Sequence, residues 1–221
     1  MQNLSGVFCN FACSFRIMSK KGIYYTLFFV LLAVGFYYIM AYAIPGYNKK
    51  RIPPVSFIRP FSFINQDGER FTEKDVAGKV FVAEFFFTTC PGICPTMNEN
   101  MKRVYDEFSR EDDFLILAHT SDPDNDSAAA MKAYARKLGV DTRRWVFLTG
   151  RKDSLYTMAR VSYTIDDPNN NLVSIEDQFI HSQFWALVDR DGNVRKIYDG
   201  LKDSEVNELI SDTRELLEEK E

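Results

Sequence analysis

The hydrophobic and polar positions of the chain separate a long uncharged segment from a longer mixed region. From Gly22 to Ile44 there is no charged residue. As a helix rising about 1.5 Å per residue, this segment would span about 35 Å, enough to cross a hydrocarbon core of about 30 Å. Tyrosines lie towards both ends of the segment, as interfacial aromatic residues do. The pattern predicts a single transmembrane anchor over residues 22–44, preceded by a tail over 1–21.

A cleaved signal peptide is the alternative for this segment, because Ala41-Tyr42-Ala43 resembles a cleavage site. The apolar run exceeds the usual h-region of about 7–15 residues, which favours an uncleaved anchor. Lys20 and Lys21 stand on one side and 49–51 are basic on the other, so loop charge does not decide the orientation. Met18 begins a stretch typical of a natural start, which makes residues 1–17 a candidate artefact of an upstream start codon.

The region after the anchor begins with a predicted linker and a hairpin. Residues 45–60 contain four of the eight prolines and predict an extended linker. Apolar segments on either side of Gln66-Asp67-Gly68 predict a β-hairpin. Residues 80–87 are nearly all β-branched or aromatic, as expected of a strand buried on both faces. A helix over 96–108 follows, and it places four apolar residues on one face: Met97, Met101, Val104 and Phe108.

The rest of the pattern alternates between strands and helices. We expect strands over 114–118 and 145–148, helices over 72–77, 127–138 and 152–162, a hairpin of 182–188 with 194–198, and a closing helix from Asp203. Asp126 is predicted to cap the 127–138 helix and Gly139 to end it. This order predicts an α/β domain over 61–221, with a thioredoxin-like fold and an added N-terminal β-hairpin.

Composition excludes some classes of function but does not assign one. The chain has 221 residues and a net charge of -4, so it lacks the basic surface that nucleic-acid binding needs. Four cysteines are too few for a disulfide scaffold in a chain of this length. They form two pairs with the same spacing, Cys9/Cys13 and Cys90/Cys94. The first pair precedes the anchor and is typical of reduced cytosolic thiols.

Cys90 and Cys94 stand at the predicted junction between strand and helix. Pro91, Gly92 and Pro95 end the strand, and Pro95 suits the first turn of a helix. The positive end of that helix is expected to favour thiolates, and two sulfurs at this spacing can converge on one point. Three intervening residues give a wider span than the usual redox Cys-x-x-Cys, and soft thiolates suit Cu(I). Copper binding is the preferred interpretation; a redox dithiol and a buried structural pair remain alternatives.

The segment FTTCPGICP at 87–95 resembles the CxxxCP signature of the Sco/SenC family, thioredoxin-fold copper-binding factors for cytochrome c oxidase assembly. The resemblance extends from about Pro53 to the C-terminus. Asp122-Pro123 and Asp126 are similar to the Asp-Pro-x-x-Asp stretch of that family. Their expected duties are turn formation and helix capping, and an effect on the copper site through the placement of the loop stays open.

His181 is the predicted third copper ligand. It precedes the strand that borders the cysteine loop in a thioredoxin-like order, and two thiolates need an imidazole to complete a copper site. The Sco/SenC family places its ligand histidine just before the corresponding strand, which implies His181 here. Ile180 stands where many members carry aspartate, so the match of Asp177 to the acidic pair of the family stays open. His119 is expected to hydrogen-bond in a turn and to stay outside the metal site.

The resemblance implies a membrane-anchored copper chaperone, in which Cys90, Cys94 and His181 bind one copper ion as Cu(I) or Cu(II). It implies delivery to the dinuclear copper site of cytochrome c oxidase subunit II, with another copper carrier as a further partner. The expected location is a bacterial inner membrane, with the C-terminal domain on the extracytoplasmic side and residues 1–21 in the cytoplasm. The alternative is a membrane-tethered thiol–disulfide oxidoreductase that keeps the cysteines of the oxidase reduced. No paired acid and base accompany the cysteines, which disfavours a peroxidase.

Overall fold

The computed structural model describes residues 19–43, 53–90, 92–166, 180 and 183–219. The chain divides into two units, Met1–Arg51 and Ile52–Glu221. The described part of the first unit is helix α1 (Lys20–Ala43), whose apolar side chains are mostly exposed. By length and composition this helix is a candidate membrane span. It begins two residues before the predicted segment, and Ile44 lies outside the described residues.

The second unit is a mixed α/β domain. Its described strands are β1 (Ser56–Phe57), β2 (Ser62–Asn65), β3 (Arg70–Thr72), β4 (Val80–Phe86), β5 (Phe114–Thr120), β6 (Trp145–Thr149), β7 (Phe184–Val188) and β8 (Asn193–Asp199). Its described α-helices are α2 (Cys94–Phe108), α3 (Ala128–Leu138), α4 (Lys152–Thr157) and α5 (Asp203–Glu218). A 3-10 helix covers Glu73–Asp75, and a π-helix over Met158–Ser162 continues α4.

The strands form one sheet in the order β1-β8-β7-β4-β5-β6-β2-β3. Strands β4, β5 and β6 are parallel. On the other side of β4, β7 runs antiparallel to it, and β8 runs antiparallel to β7. The predicted N-terminal hairpin is β2–β3, and β2 extends the sheet beyond β6. The central strand β4 is buried along its whole length, as its apolar sequence predicts.

Apolar side chains pack on both faces of the sheet and fix where α2 lies. Phe81 and Phe85 of β4 face a cluster formed with the hairpin and the π-helix. Val82 and Phe86 face the opposite cluster, which contains the apolar face of α2 together with residues of α3 and α5. The four residues predicted for that helix face are all buried. Burial of this face holds the first turn of α2 at the end of β4.

Several element boundaries differ from the predictions for reasons of tertiary pairing. Strand β5 continues to Thr120 because it pairs with β4 as far as Phe86, so His119 lies in a strand and not in a turn. Strand β1, within the predicted 45–60 linker, pairs with β8. The predicted 72–77 helix is a single 3-10 turn at Glu73–Asp75. The predicted 152–162 helix changes to π geometry after Thr157.

The ends of α3 correct one predicted role and confirm another. Ser127 is the N-cap, and its hydroxyl accepts a hydrogen bond from the Ala130 amide at 3.2 Å. The prediction that Asp126 caps this helix is therefore wrong, and the Asp126 carboxylate is directed elsewhere. Gly139 ends the helix as predicted, because its φ of 67° is a left-handed conformation that glycine adopts without a steric cost.

Candidate metal centre

The two cysteines lie where β4 gives way to α2. Cys90 follows Phe86 by four residues and is half-buried, and Cys94 is the first residue of α2 and is 5% exposed. A turn connects the end of β4 to Cys90, since the Cys90 amide donates to the Phe87 carbonyl at 3.2 Å. Both thiols are free, and Cys90 acts on the pKa of Cys94, so the two side chains lie close together. The structure thus brings the two predicted sulfur ligands together.

Burial sets the protonation of Cys94. Removal from solvent raises the pKa of this thiol to about 12, with hydrogen bonding and charge repulsion from Cys90 acting in the same direction. A backbone hydrogen bond at Phe87 opposes the rise. The expectation that the helix end favours thiolate is therefore wrong for Cys94, because desolvation outweighs it. At neutral pH Cys94 is a thiol, and a metal that binds it must displace the proton.

A cavity of about 410 Å³ opens beside Cys90, between α2 and α3. Tyr134, Trp145 and Leu138 contribute apolar surface, and Lys102 and Lys137 contribute charge. Cys90 lines this cavity and Cys94 does not. The two sulfurs therefore differ in access, with Cys90 open to an incoming group and Cys94 covered by the helix and the core.

The carboxyl group of Glu84 is buried on the face of β4 that packs against α2. The residue is 1% exposed, and within the described chain neither oxygen meets hydrogen-bond geometry with a partner. Burial raises its pKa to about 8, although the indole of Trp145 acts against the rise. The charge of Glu84 also disfavours thiolate at Cys94, so the two groups lie close enough to interact. At neutral pH this carboxyl is largely protonated.

His119 lies on the other face of the sheet from α2. Its ring stacks on Phe85 with centroids 5.1 Å apart and meets Tyr163 edge to face at 5.3 Å. Burial lowers its pKa to about 4, against the effect of nearby backbone carbonyl groups. The imidazole Nε2 lies 3.5 Å from the Tyr163 hydroxyl. His119 is thus a neutral core residue, and the predicted turn hydrogen bond is replaced by aromatic packing.

The predicted third ligand, His181, lies outside the described residues, as do Asp177, Cys9 and Cys13. Among the residues that the structure describes, no group of three or more His, Cys, Asp or Glu side chains is arranged to hold a metal ion. Next to His181 in sequence, Ile180 is buried. The described part of the candidate site therefore consists of the two thiols of Cys90 and Cys94.

Sequence reasoning missed Glu84 as part of the site, and it predicted no contact for Asp126 beyond its turn and the helix cap. Glu84 is the only ionisable residue within the otherwise apolar strand β4, and this signal was present in the sequence. The hydrogen bonds of Asp126 to Thr88 and Thr120 join residues up to 38 positions apart. No local pattern indicates such a contact, so it required the structure.

The sheet order, the strand-to-helix junction and the adjacent thiols define a thioredoxin-like protein with a two-sulfur site. A family model described as SCO1/SenC matches residues 49–218. The SCO1 protein homolog of Bacillus subtilis (strain 168) is 30% identical over 188 residues, covering 83% of this chain and 94% of that protein. The chain belongs to the SCO1/SenC family.

Solved structures support the same assignment. BsSco, described as a member of the Sco family of cytochrome c oxidase assembly proteins with a disulfide switch, is 31% identical with a TM-score of 0.64. The match covers 77% of this chain and all of that one. Arabidopsis thaliana ScoI, solved with copper bound, is 26% identical over 72% of this chain and 98% of that one, with a TM-score of 0.57. The predicted thioredoxin-like fold is confirmed.

Proposed function

We propose that this protein binds one copper ion and delivers it to cytochrome c oxidase during assembly, with the dinuclear copper site of subunit II as the destination. The observation that carries the proposal is the pair of free thiols at the end of β4, one of them open to a cavity. Two sulfur ligands favour a soft ion such as Cu(I). The copper-bound Arabidopsis relative and the assembly role named for BsSco support the same cargo and the same process.

Cys90, Cys94 and His181 are the proposed ligands. Strand β7 is antiparallel to β4, with Ala83 opposite Ala186. The chain that enters β7 therefore comes from the end of the sheet at which β4 leads into the cysteine loop. His181 is three residues before Phe184, the first residue of β7. This position in the sequence supports the proposal that the imidazole of His181 reaches both sulfurs.

Thiol–disulfide exchange is the second candidate function. The nearness of the Cys90 and Cys94 thiols favours it, and the relative BsSco is described as having a disulfide switch. In this role the two thiols would reduce a disulfide of the oxidase, losing two electrons and two protons and forming their own S–S bond. The imidazole is not needed for that chemistry. Replacement of the histidine therefore separates the two candidates.

His181→Ala should weaken copper binding and spare reduction of a disulfide substrate. The variant is expected to lose or distort its Cu(II) coordination while the two thiolates retain some Cu(I), because a Cys₂His site loses its imidazole. Electron paramagnetic resonance of the Cu(II)-loaded protein and a copper titration of the reduced protein measure these effects. A dithiol assay on the same samples measures the second function.

His119→Ala is the matched control, since it removes the other histidine of the chain. Its ring lies in the aromatic cluster on the other face of the sheet, so both copper signals should remain nearly those of the unaltered protein. The opposite ranking of the two variants would refute the ligand assignment. Wild-type protein that reduces disulfides but takes up no copper would favour the second function.

We infer that residues 1–21 form a cytoplasmic tail and 22–44 a membrane anchor. A linker within 45–60 then leads to the domain, whose sheet already includes β1 (Ser56–Phe57). Helix α1 is long and apolar enough to cross a membrane, which supports this arrangement. Copper delivery to an oxidase acts outside the cytoplasm, so the domain should face the extracytoplasmic side of a bacterial inner membrane.

Helix α5 should be digested by protease added to intact spheroplasts. It ends close to the C-terminus, so a C-terminal epitope tag would be lost without lysis of the membrane. Immunodetection of the tag, with a cytoplasmic protein as the control for lysis, measures the result. Full protection of the tag in intact spheroplasts would reverse the orientation.

A further inference from the structure

The Asp126 carboxylate is enclosed by hydrogen-bond donors on the cysteine side of the domain. Its residue has no exposed surface. The Thr88 amide lies 3.2 and 3.3 Å from its two oxygens, and the Thr88 hydroxyl donates to Oδ1. The Thr120 hydroxyl donates to Oδ2 at 2.6 Å. Every one of these donors is a hydroxyl or amide group, so the carboxylate is stabilised by hydrogen bonds.

These hydrogen bonds fasten the start of the cysteine loop to the neighbouring strand. Thr88 is two residues before Cys90, and Thr120 is the last residue of β5, opposite Phe86 of β4. The adjoining backbone adds one more hydrogen bond, in which the Ser121 amide donates to the Phe86 carbonyl at 2.8 Å. The loop therefore leaves β4 in one direction, set by Asp126.

We propose that Asp126 is a positioning residue for the Cys90–Cys94 pair. Cys94 is fixed independently, because it belongs to α2 and α2 packs on the core. Cys90 lies on the loop, so its distance from Cys94 depends on what holds the loop. By holding Thr88, Asp126 keeps the Cys90 sulfur at a high effective concentration near its partner. It thereby strengthens both two-sulfur copper binding and formation of a Cys90–Cys94 disulfide.

The arrangement requires a carboxylate. Both oxygens of an ionised aspartate accept, and Asp126 receives donors on both. An asparagine has the same shape, but its amide nitrogen is a donor and would face either Thr88 or Thr120. Asp126→Asn should therefore break the hydrogen bonds to either Thr88 or Thr120 with little change in side-chain volume.

The copper part of this inference rests on the proposed function; the disulfide part does not. Equilibration of the full chain with oxidised and reduced dithiothreitol measures the disulfide. Cys90 and Cys94 lose two electrons and two protons as their S–S bond forms, and the S–S bond of oxidised dithiothreitol is reduced to a dithiol. Asp126→Asn should lower this equilibrium constant about tenfold and weaken Cu(I) binding about tenfold, as expected for loss of hydrogen bonds to a charged group.

Asp189→Asn is the matched control. Asp189 is 6% exposed and accepts from the Asn193 amide at 2.8 Å and from Arg195 at 3.0 Å. It follows Val188, and β7 pairs Val188 with Phe81 near the start of β4, so it lies at the opposite end of the sheet from the cysteines. Its loss should lower thermal stability yet leave the disulfide and copper equilibria within about twofold of wild type, as for distant sites.

Thr88→Val tests the same connection if Asp126→Asn does not fold. It removes the hydroxyl donor and retains the Thr88 amide, so both equilibria should fall, and Thr88→Ser should restore them. The inference is overturned if the folded variant keeps both equilibria within about twofold of wild type, or if Asp189→Asn moves them as far. If wild-type protein binds no copper while Asp126→Asn still weakens the disulfide, the proposed function fails and the positioning role stands.

Discussion

Cys90→Ser and Cys94→Ser should each abolish tight copper binding, reducing the metal content of the reduced protein from one ion per chain to none. Each change replaces a soft sulfur ligand by a hydroxyl, which is a poor ligand for Cu(I). Because the two thiols lie close together, we expect them to bind the ion as a pair and one thiol alone not to hold it tightly. Metal analysis of the purified full-length protein in detergent, after reduction and removal of excess copper, measures the stoichiometry.

The first cysteine pair provides the control for this experiment. Cys9 and Cys13 have the same spacing but lack the Pro/Gly-containing turn that precedes α2. A Cys9→Ser, Cys13→Ser double variant should keep one copper ion per chain. Unchanged stoichiometry in Cys90→Ser or in Cys94→Ser would refute the assignment of that sulfur as a ligand. Loss of copper in the control variant would place the site before α1.

Glu84→Gln should stabilise the second unit by about 3 kcal/mol at pH 7. In the folded protein burial raises the pKa of Glu84 from 4.5 to about 8. Between these values the unfolded chain has lost the proton and the folded chain has kept it, so folding takes up a proton and stability falls as pH rises. Glutamine avoids this cost. The gain should vanish near pH 4.5 and be largest above pH 8.

Urea unfolding followed by tryptophan fluorescence measures this effect, because both tryptophans, Trp145 and Trp185, are buried in the second unit. Glu99→Gln is the matched control, since Glu99 is an exposed glutamate on α2, and its replacement should change stability little at any pH. His119 affects the pH dependence of stability in the opposite direction. Burial lowers its pKa from 6.5 to about 4, so stability is lost as pH falls through that range. A gain from Glu84→Gln that is equal at pH 4.5 and pH 8 would contradict the raised pKa.

The sequence was sufficient to predict the structure where one short segment determines its own conformation. The apolar run of β4, the proline and glycine after it, and the spacing of Met97 and Met101 on α2 predicted the junction that carries the cysteines. The paired thiols follow from that junction. The third ligand was inferred from the order of elements and from the family resemblance, and His181 remains a prediction because it lies outside the described residues.

The sequence was insufficient to predict contacts in which distant segments compete for the same side chain. Asp126 has the local pattern of a helix cap, but Thr88 and Thr120 supply donors from two other segments and Ser127 takes the cap. The helix end predicted a thiolate at Cys94, but burial raises the pKa of this thiol. The burial comes from the rest of the core, so no single segment reveals it. Strand β1 is two residues long and exists only because β8 is beside it.

Under the proposed function, the unequal access of the two sulfurs would give metal transfer a fixed order. An incoming ligand of a recipient protein can reach a copper ion from the cavity on the Cys90 side, whereas α2 and the core close the Cys94 side. The bond to Cys90 would then be the first to exchange and the bond to Cys94 the last to break. The ion would be held by Cys94 and the recipient together at the midpoint, so it would never be free in solution. A recipient would then present its ligand on a protruding segment narrow enough to enter between α2 and α3.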